Sequence, residues 1–209
     1  VPVSSMLYEA VGFALTVAEE SGGAFDPTVG MRMEERGFNR EFRSGNIVRT
    51  AIEPGSTVSY RDVQLDPGQM TITLLKPMVL DLGAVAKGLA IDMAARELKE
   101  FGDFAIDAGG DLYFGGRNAE GNLWSVGIRH PRDPQQLIET FHVSDTAVCT
   151  SGDYERKSSV EEGGHHIMDP RTGTSATRLA SVTVRAPTAM VADALATAAF
   201  VLGPTEGLD

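Results

Sequence analysis

The chain has 209 residues, 42% of them hydrophobic and 22% charged, with 23 glycines and 10 prolines, so it can bury the core of one large domain or two small ones. Its 18 Lys plus Arg face 29 Asp plus Glu, a formal charge of −11, which argues against a general nucleic-acid surface or attachment to an anionic membrane; a phosphate ligand would need a metal ion or backbone N–H groups. The single cysteine, Cys149, excludes an internal disulfide, and there is no run of 18 apolar residues to span a membrane.

In chain order, residues 4–23 carry a Ser4 cap, apolar positions at Leu7, Val11, Leu15 and Ala18, and a closing glycine pair, which predicts an amphipathic helix. Between Ser56 and Leu82 the pattern changes to short β-rich runs, "TVSYRDVQL", "MTITLL" and "MVLDL", with "DPGQ" as a turn, and this predicts an antiparallel meander. Residues 86–102 return to helical period and stop at Gly102. "FAIDAGGDLYFGG", "LWSVGIRHP", "IETFHVSD", "TAVCTSGDYE" and "ASVTVRAP" read as further strands, and a last helix runs from near Thr188 to Gly203-Pro204. Strands in runs, rather than alternating with helices, predict an α+β fold with largely antiparallel sheet.

The last helix is apolar from Ala189 to Leu202 except for Asp193 and Thr197. Four residues apart on one face, a carboxylate and a hydroxyl converge on one point, as a magnesium site needs. Thr197 could equally bond back to the carbonyl of residue 193 while Asp193 caps a neighbouring segment; spacing alone favours that second reading. Either way a buried carboxylate requires a partner.

"LDLGAVAKGLAID" (80–92) reads as a strand passing through Gly83 into a helix, a junction that offers free carbonyls on one side and free N–H groups on the other. Lys87 near the helix start is disfavoured by the macrodipole, which calls for a negative neighbour. The stretch has neither the dinucleotide-binding nor the Walker glycine spacing. "DAGGD" (107–111) suits close backbone approach to a ligand or simply a hairpin turn. "TSGDYE" (150–155), "HHIMDPRTG" (165–173) and "GGAFDPTVG" (22–30) combine turn formers with polar groups. The adjacent His165 and His166 lack zinc-binding spacing, Cys149 reads as a small core residue, and His130 and His142 have no companion motif.

Taken in order, "AFDPTVG … LDLGAVAKGLAID … DAGGD … TSGDYE … HIMDPRTG … SVTV … ADALATAAFVLG" closely resembles the ApbE family of FAD:protein FMN transferases, from about Val3 to Gly203. The resemblance implies an ApbE-like (T-fold-like) α+β fold, FAD as substrate, Mg²⁺ at the pyrophosphate, and transfer of FMN to a Ser or Thr of an acceptor flavoprotein with release of AMP. The acceptor it implies is of the kind found as a subunit of a membrane redox complex. Carried over by position, Asp193, Thr197 and the backbone carbonyl of Ala84 match the metal ligands. Ala24, Phe25, Asp26, Asp81 and Lys87 match flavin-dinucleotide contacts, and Asp107, Gly109, Gly110, Asp111, Ser151 and Gly152 match positions shaping the pocket. His166, rather than His165, matches the histidine expected to take the acceptor's proton, with Asp153 able to share that duty.

The expectation is therefore a single ApbE-type domain over residues 1–209, without the segments that the family carries before the first helix and beyond the last. Family members often sit outside the cytoplasmic membrane, which favours a periplasmic or envelope location, and others are cytoplasmic. An FAD pyrophosphatase, with water replacing the acceptor, or a protein that holds FAD without turnover, stands as the alternative function.

Overall fold

The computed structural model describes residues 1–41, 44–52 and 57–208; Ser56, the expected start of the β-rich stretch, lies outside them. In chain order the elements are α1 (Ser5–Glu20), α2 (Gly30–Glu35), β1 (Val63–Asp66), β2 (Thr71–Leu74), α3 (Gly83–Leu98), β3 (Phe104–Asp107), β4 (Leu112–Gly115), β5 (Trp124–Arg129), β6 (Leu137–Val143), β7 (Thr146–Gly152), β8 (Met168–Asp169), β9 (Thr174–Ser175), β10 (Ser181–Ala186) and α4 (Ala189–Glu206). The chain divides into two compact units, Val1–Leu82 with Glu155–Thr177, and Gly83–Tyr154 with Arg178–Asp209.

In the first unit α1 forms where the apolar period predicts it. Ser4 Oγ accepts from the Leu7 N–H at 3.2 Å, satisfying one orphan donor of the first turn, and Ala10, Val11, Ala14, Val17 and Ala18 make the buried stripe. Val11 packs with Val63, Ile72 and Met78. The β1–β2 hairpin turns at Asp66, whose Oδ1 accepts from Gly68 N and Gln69 N at 2.8 and 3.0 Å. The expected meander is shorter than its pattern. Tyr60–Asp62 is a 3₁₀ turn, and "MVLDL" forms no strand, because its backbone is bonded elsewhere. Gly30 N donates to Val79 O at 3.2 Å and Asp81 N donates to Pro27 O at 2.7 Å, so this run pairs with the entry to α2 instead of with β2.

The buried Arg36 guanidinium gathers the rest of this unit. It donates to Gly173 O at 3.0 Å and to Ser175 Oγ, and pairs with Glu161 at 2.6 Å. The stretch 165–173, rich in turn formers, thereby runs into a short hairpin, β8–β9, whose turn is tightened by Asp169 Oδ1 accepting from Arg171 N at 2.9 Å.

The second unit holds a four-stranded antiparallel sheet in the order β10-β7-β4-β3 and a β5–β6 ribbon. Antiparallel sheet with packed helices is the α+β class that the runs of strands imply. Ile91 of α3, Ala147 and Cys149 of β7, Ala186 of β10, and Ala189 and Ala192 of α4 form one buried cluster. Helix α3 starts at Gly83, three residues earlier than its period suggests, and passes through a 3₁₀ turn to Gly102, whose φ of 76° suits glycine. Helix α4 is capped by Thr188, whose Oγ1 accepts from Val191 N at 3.4 Å, and is kinked at Gly203 before Pro204.

Two residues of α3 join it to α4. A Cβ on Gly88 would stand 2.5 Å from Met190 Cα and 2.6 Å from the Ala189 carbonyl carbon, so the missing side chain is what lets the helices touch. One turn on, Asp92 Oδ1 accepts from Ala189 N at 2.6 Å and Oδ2 from Met190 N at 2.9 Å. The N-terminus of α4 is thus held by a carboxylate from another helix, where the dipole welcomes negative charge.

Candidate functional site

The chemistry of the second unit centres on Asp193. Helix α4 forms because its residues are helix formers, and it is buried because almost all of them are apolar; Asp193 goes in with them and is 7% exposed. The Gly88 backbone reaches its carboxylate with a hydrogen bond, while Oδ2 is buried with no hydrogen-bond partner among the described residues. Loss of solvent, reinforced by the nearby charge of Asp111, pushes the Asp193 pKa up to about 7, against the pull of Lys87 and of the Gly88 hydrogen bond.

Asp111, at the end of the "DAGGD" turn, is also buried. Its Oδ1 accepts from Thr150 N at 3.1 Å, and its Oδ2 pairs with the Lys87 ammonium. This is the negative neighbour that Lys87 required. Desolvation pulls the Lys87 pKa down, but the hydrogen bond and charge of Asp111, with Asp193 behind it, outweigh that and leave it above its ordinary value. Among the described residues two carboxylates therefore share one ammonium, and the cluster is a positive charge short. On the same face of α4, one turn beyond Asp193, Thr197 Oγ1 lies 3.2 Å from Ser151 Oγ of β7.

These residues fit a hard divalent cation. An uncommitted carboxylate oxygen, a hydroxyl at i+4 and a local charge deficit are what Mg²⁺ uses, since it keeps water and phosphate oxygens for the rest of its shell. Among the described residues no group of three or more His, Cys, Asp or Glu is placed to hold a metal, so the donor set is mixed and sparse. Ala84 stands half-buried in the first turn of α3, one turn before Gly88.

The other residues expected in this unit sit in turns, at a strand end or in an ion pair. Asp107 Oδ1 accepts from Gly110 N at 2.9 Å, and Gly109 and Gly110 have φ of 70° and 95°, so "DAGG" is the hairpin turn that lifts Asp111 into place. Gly152 closes β7 against Ser181. Asp153 has both carboxylate oxygens on the Arg132 guanidinium at 2.6 Å, an engagement that competes with taking a proton. Cys149 is fully buried, its thiol pushed up by burial and directed to Ala189 O at 3.6 Å, and so is a core group.

In the first unit Ala24 and Phe25 are buried anchors, and Asp26 is a connector. Asp26 Oδ1 accepts from Thr28 N at 2.9 Å and Oδ2 from Tyr60 N at 3.0 Å. Asp26 also lines a cleft of about 400 Å³ with Thr28, Arg32, Tyr60, Arg61 and Arg171. Asp81 lines another of about 290 Å³ with Gly30, Met33, Phe38 and Leu82. The two histidines separate clearly. His165 is 3% exposed, with Nε2 2.8 Å from Ala176 O and Nδ1 accepting from Ile167 N at 3.3 Å, a pattern that assigns the proton to Nε2 and makes the ring a structural pin. His166 is half-buried, its backbone N–H on Arg156 O at 3.1 Å and its ring edge-on to Phe38 at 6.4 Å.

The structure thus gathers Lys87, Asp111, Ser151, Asp193 and Thr197 in one unit, and places Ala24, Phe25, Asp26, Asp81 and His166 in the other. Three residues that position the site, Gly88, Asp92 and Arg132, were not among those expected from the sequence. Gly88 and Asp92 had a signal, a glycine and an acid four apart on one helix face; Arg132 had none, because its pairing with Asp153 is set by long-range folding.

A family model described as the ApbE family matches residues 1–209. The FAD:protein FMN transferase of Treponema pallidum is 38% identical over 227 residues, covering 97% of this chain and 61% of that protein, and the one from Haemophilus influenzae is 31% identical over 222 residues, covering 100% and 64%. The chain therefore spans somewhat over 60% of the length of these curated relatives. Among solved structures, the ApbE protein of Thermotoga maritima matches with a TM-score of 0.84 at 34% identity, covering 97% of this chain and 67% of that one. The flavin transferase ApbE of Vibrio cholerae matches with a TM-score of 0.81 at 29% identity, covering 99% and 68%.

Proposed function

We propose, from the premise that this chain belongs to the ApbE family, that it transfers FMN from FAD to a Ser or Thr hydroxyl of an acceptor protein and releases AMP. The observation that carries this reading is the buried Asp193, one helical turn from the Thr197 hydroxyl, with an oxygen uncommitted among the described residues and, among those residues, a cluster short of positive charge. An acidic chain has to bring a cation to handle a pyrophosphate, and this is where it would hold one. Asp193, Thr197 and the carbonyl of Ala84 would be the ligands, and a Mg²⁺ bound by them supplies charge neutralisation at the phosphate oxygens.

The chain's own residues supply the rest. Lys87 stays protonated because Asp111 holds it so, and half of its side chain is open to solvent, which leaves its ammonium able to meet a phosphate oxygen. The acceptor hydroxyl oxygen bonds to the phosphorus on the FMN side, the bridging P–O bond breaks, and AMP leaves with that bridging oxygen and its electron pair. His166 takes the hydroxyl proton, a transfer worth about 10²- to 10⁴-fold in rate. Asp153 serves better as an anchor for Arg132 than as a second base.

The test is AMP release from FAD with and without Mg²⁺, for wild type, Asp193→Ala and His166→Ala. Metal-dependent release that Asp193→Ala abolishes, and that His166→Ala slows while FAD binding persists, supports the reading. Wild-type rates in Asp193→Ala refute the metal assignment, and equal loss of FAD binding and turnover in His166→Ala makes that histidine structural.

A further inference from the structure

We infer that Asp92 is a positioning residue for the metal-holding face of α4, an inference that rests on the reading of Asp193 and Thr197 as cation ligands. No hydrogen bond among the described residues joins Asp92 to either of them. Asp92 accepts from Ala189 N at 2.6 Å with one oxygen and from Met190 N at 2.9 Å with the other, the first two N–H groups of α4. Asp193 follows one turn after Ala189, and Thr197 one turn after that.

The tether has a second point. Gly88, one turn before Asp92 on α3, lies against the Ala189–Met190 backbone where a Cβ would collide, and its backbone hydrogen-bonds the Asp193 carboxylate. Lys87, next to it, pairs with Asp111. A single stretch of α3, residues 87–92, therefore sets the ammonium, the backbone contact to Asp193 and the start of the helix that carries Asp193. A helix gripped at its first two N–H groups by a bidentate carboxylate is fixed in translation and rotation at that end. Released there, α4 keeps its own cap, because Thr188 Oγ1 accepts from Val191 N at 3.4 Å, but the register of Asp193 against Lys87 then rests on the Gly88 contact alone.

This separates positioning from plain helix stability and gives the test its control. Asp92→Asn places an NH₂ donor opposite one of two N–H donors and breaks the bidentate grip. Thr188→Ala weakens the same helix end without touching the tether. Mn²⁺ binding is read by loss of the free-ion electron paramagnetic resonance signal on purified wild type, Asp92→Asn, Asp92→Glu and Thr188→Ala with FAD present, alongside thermal melts. Mn²⁺ affinity should fall about 10- to 100-fold in Asp92→Asn, the usual effect of removing a group that orients a metal ligand. It should recover in part in Asp92→Glu, whose carboxylate keeps two acceptors, and stay near wild type in Thr188→Ala even when its melting temperature drops as far. Wild-type Mn²⁺ affinity in Asp92→Asn, or the same loss in Thr188→Ala at matched stability, overturns the positioning role while the cation site stands. Absence of Mn²⁺ binding in wild type overturns the cation site itself, and the inference with it.

Discussion

Asp193→Asn in the metal-free protein should stabilise the fold at pH 8 and leave it unchanged near pH 4. The folded pKa of Asp193 is about 7 against an ordinary 3.8, raised by burial first and by Asp111 second. The sign follows from linkage: a carboxyl whose folded pKa lies above its unfolded value gives stability that is complete below the unfolded pKa and is lost as pH rises through the folded one. The window is therefore about pH 4 to 7. A difference of about three pH units at 1.36 kcal/mol each makes the full loss roughly 4 kcal/mol. Asn keeps an oxygen for the Gly88 hydrogen bond and has no charge to bury, so it escapes that loss. Urea melts of both proteins in chelator at pH 4, 6 and 8 should give curves that coincide at pH 4 and diverge towards pH 8, with Asn the more stable. Mg²⁺ should then restore wild type at pH 8 and do little for the variant. A variant equal to or weaker than wild type at pH 8, with an unchanged pH slope, would refute the claim that Asp193 is an uncompensated buried carboxylate.

Lys87→Ala should cost about 2–3 kcal/mol in urea melts by stranding Asp111, somewhat below the full penalty for a buried pair because the lysine side chain is 45% exposed. Adding Asp111→Asn should return most of that loss, and simple additivity of the two would argue against their pairing. Gly88→Ala should destabilise by about 1–3 kcal/mol through collision with the Ala189–Met190 backbone, and a neutral melt would mean that α3 and α4 separate without penalty. Asp26→Ala should lose about 1–2 kcal/mol from its cap on Thr28 N and its bond to Tyr60 N, with unchanged stability showing those bonds to be idle.

The parts legible in the chain were those set by local physics. Helix α1 announces itself through its apolar period and the Ser4 cap, α4 through its apolar run from near Thr188 to Gly203-Pro204, and the turns at "DPGQ" and "DAGG" through their turn-forming residues. "MVLDL" misled because its composition suits a strand while its hydrogen bonds go to Pro27 and Gly30, some fifty residues earlier. The Asp193 and Thr197 pair was visible from spacing, but its meaning was not. Only the fold shows that Asp193 Oδ2 has no hydrogen-bond partner among the described residues, that Asp111 already belongs to Lys87, and that Asp153 is held by Arg132. Choosing His166 over His165 follows a motif in the sequence; the structure adds a physical reason, since the His165 ring is pinned to Ala176 O and Ile167 N.

The most direct measurement is the intact mass of a Thr-containing acceptor protein after incubation with this protein, FAD and Mg²⁺. A gain of one FMN moiety is expected, matched by AMP and absent when Mg²⁺ is chelated or Asp193 is replaced by Ala. AMP and free FMN with an unmodified acceptor would contradict it and make the reaction hydrolysis.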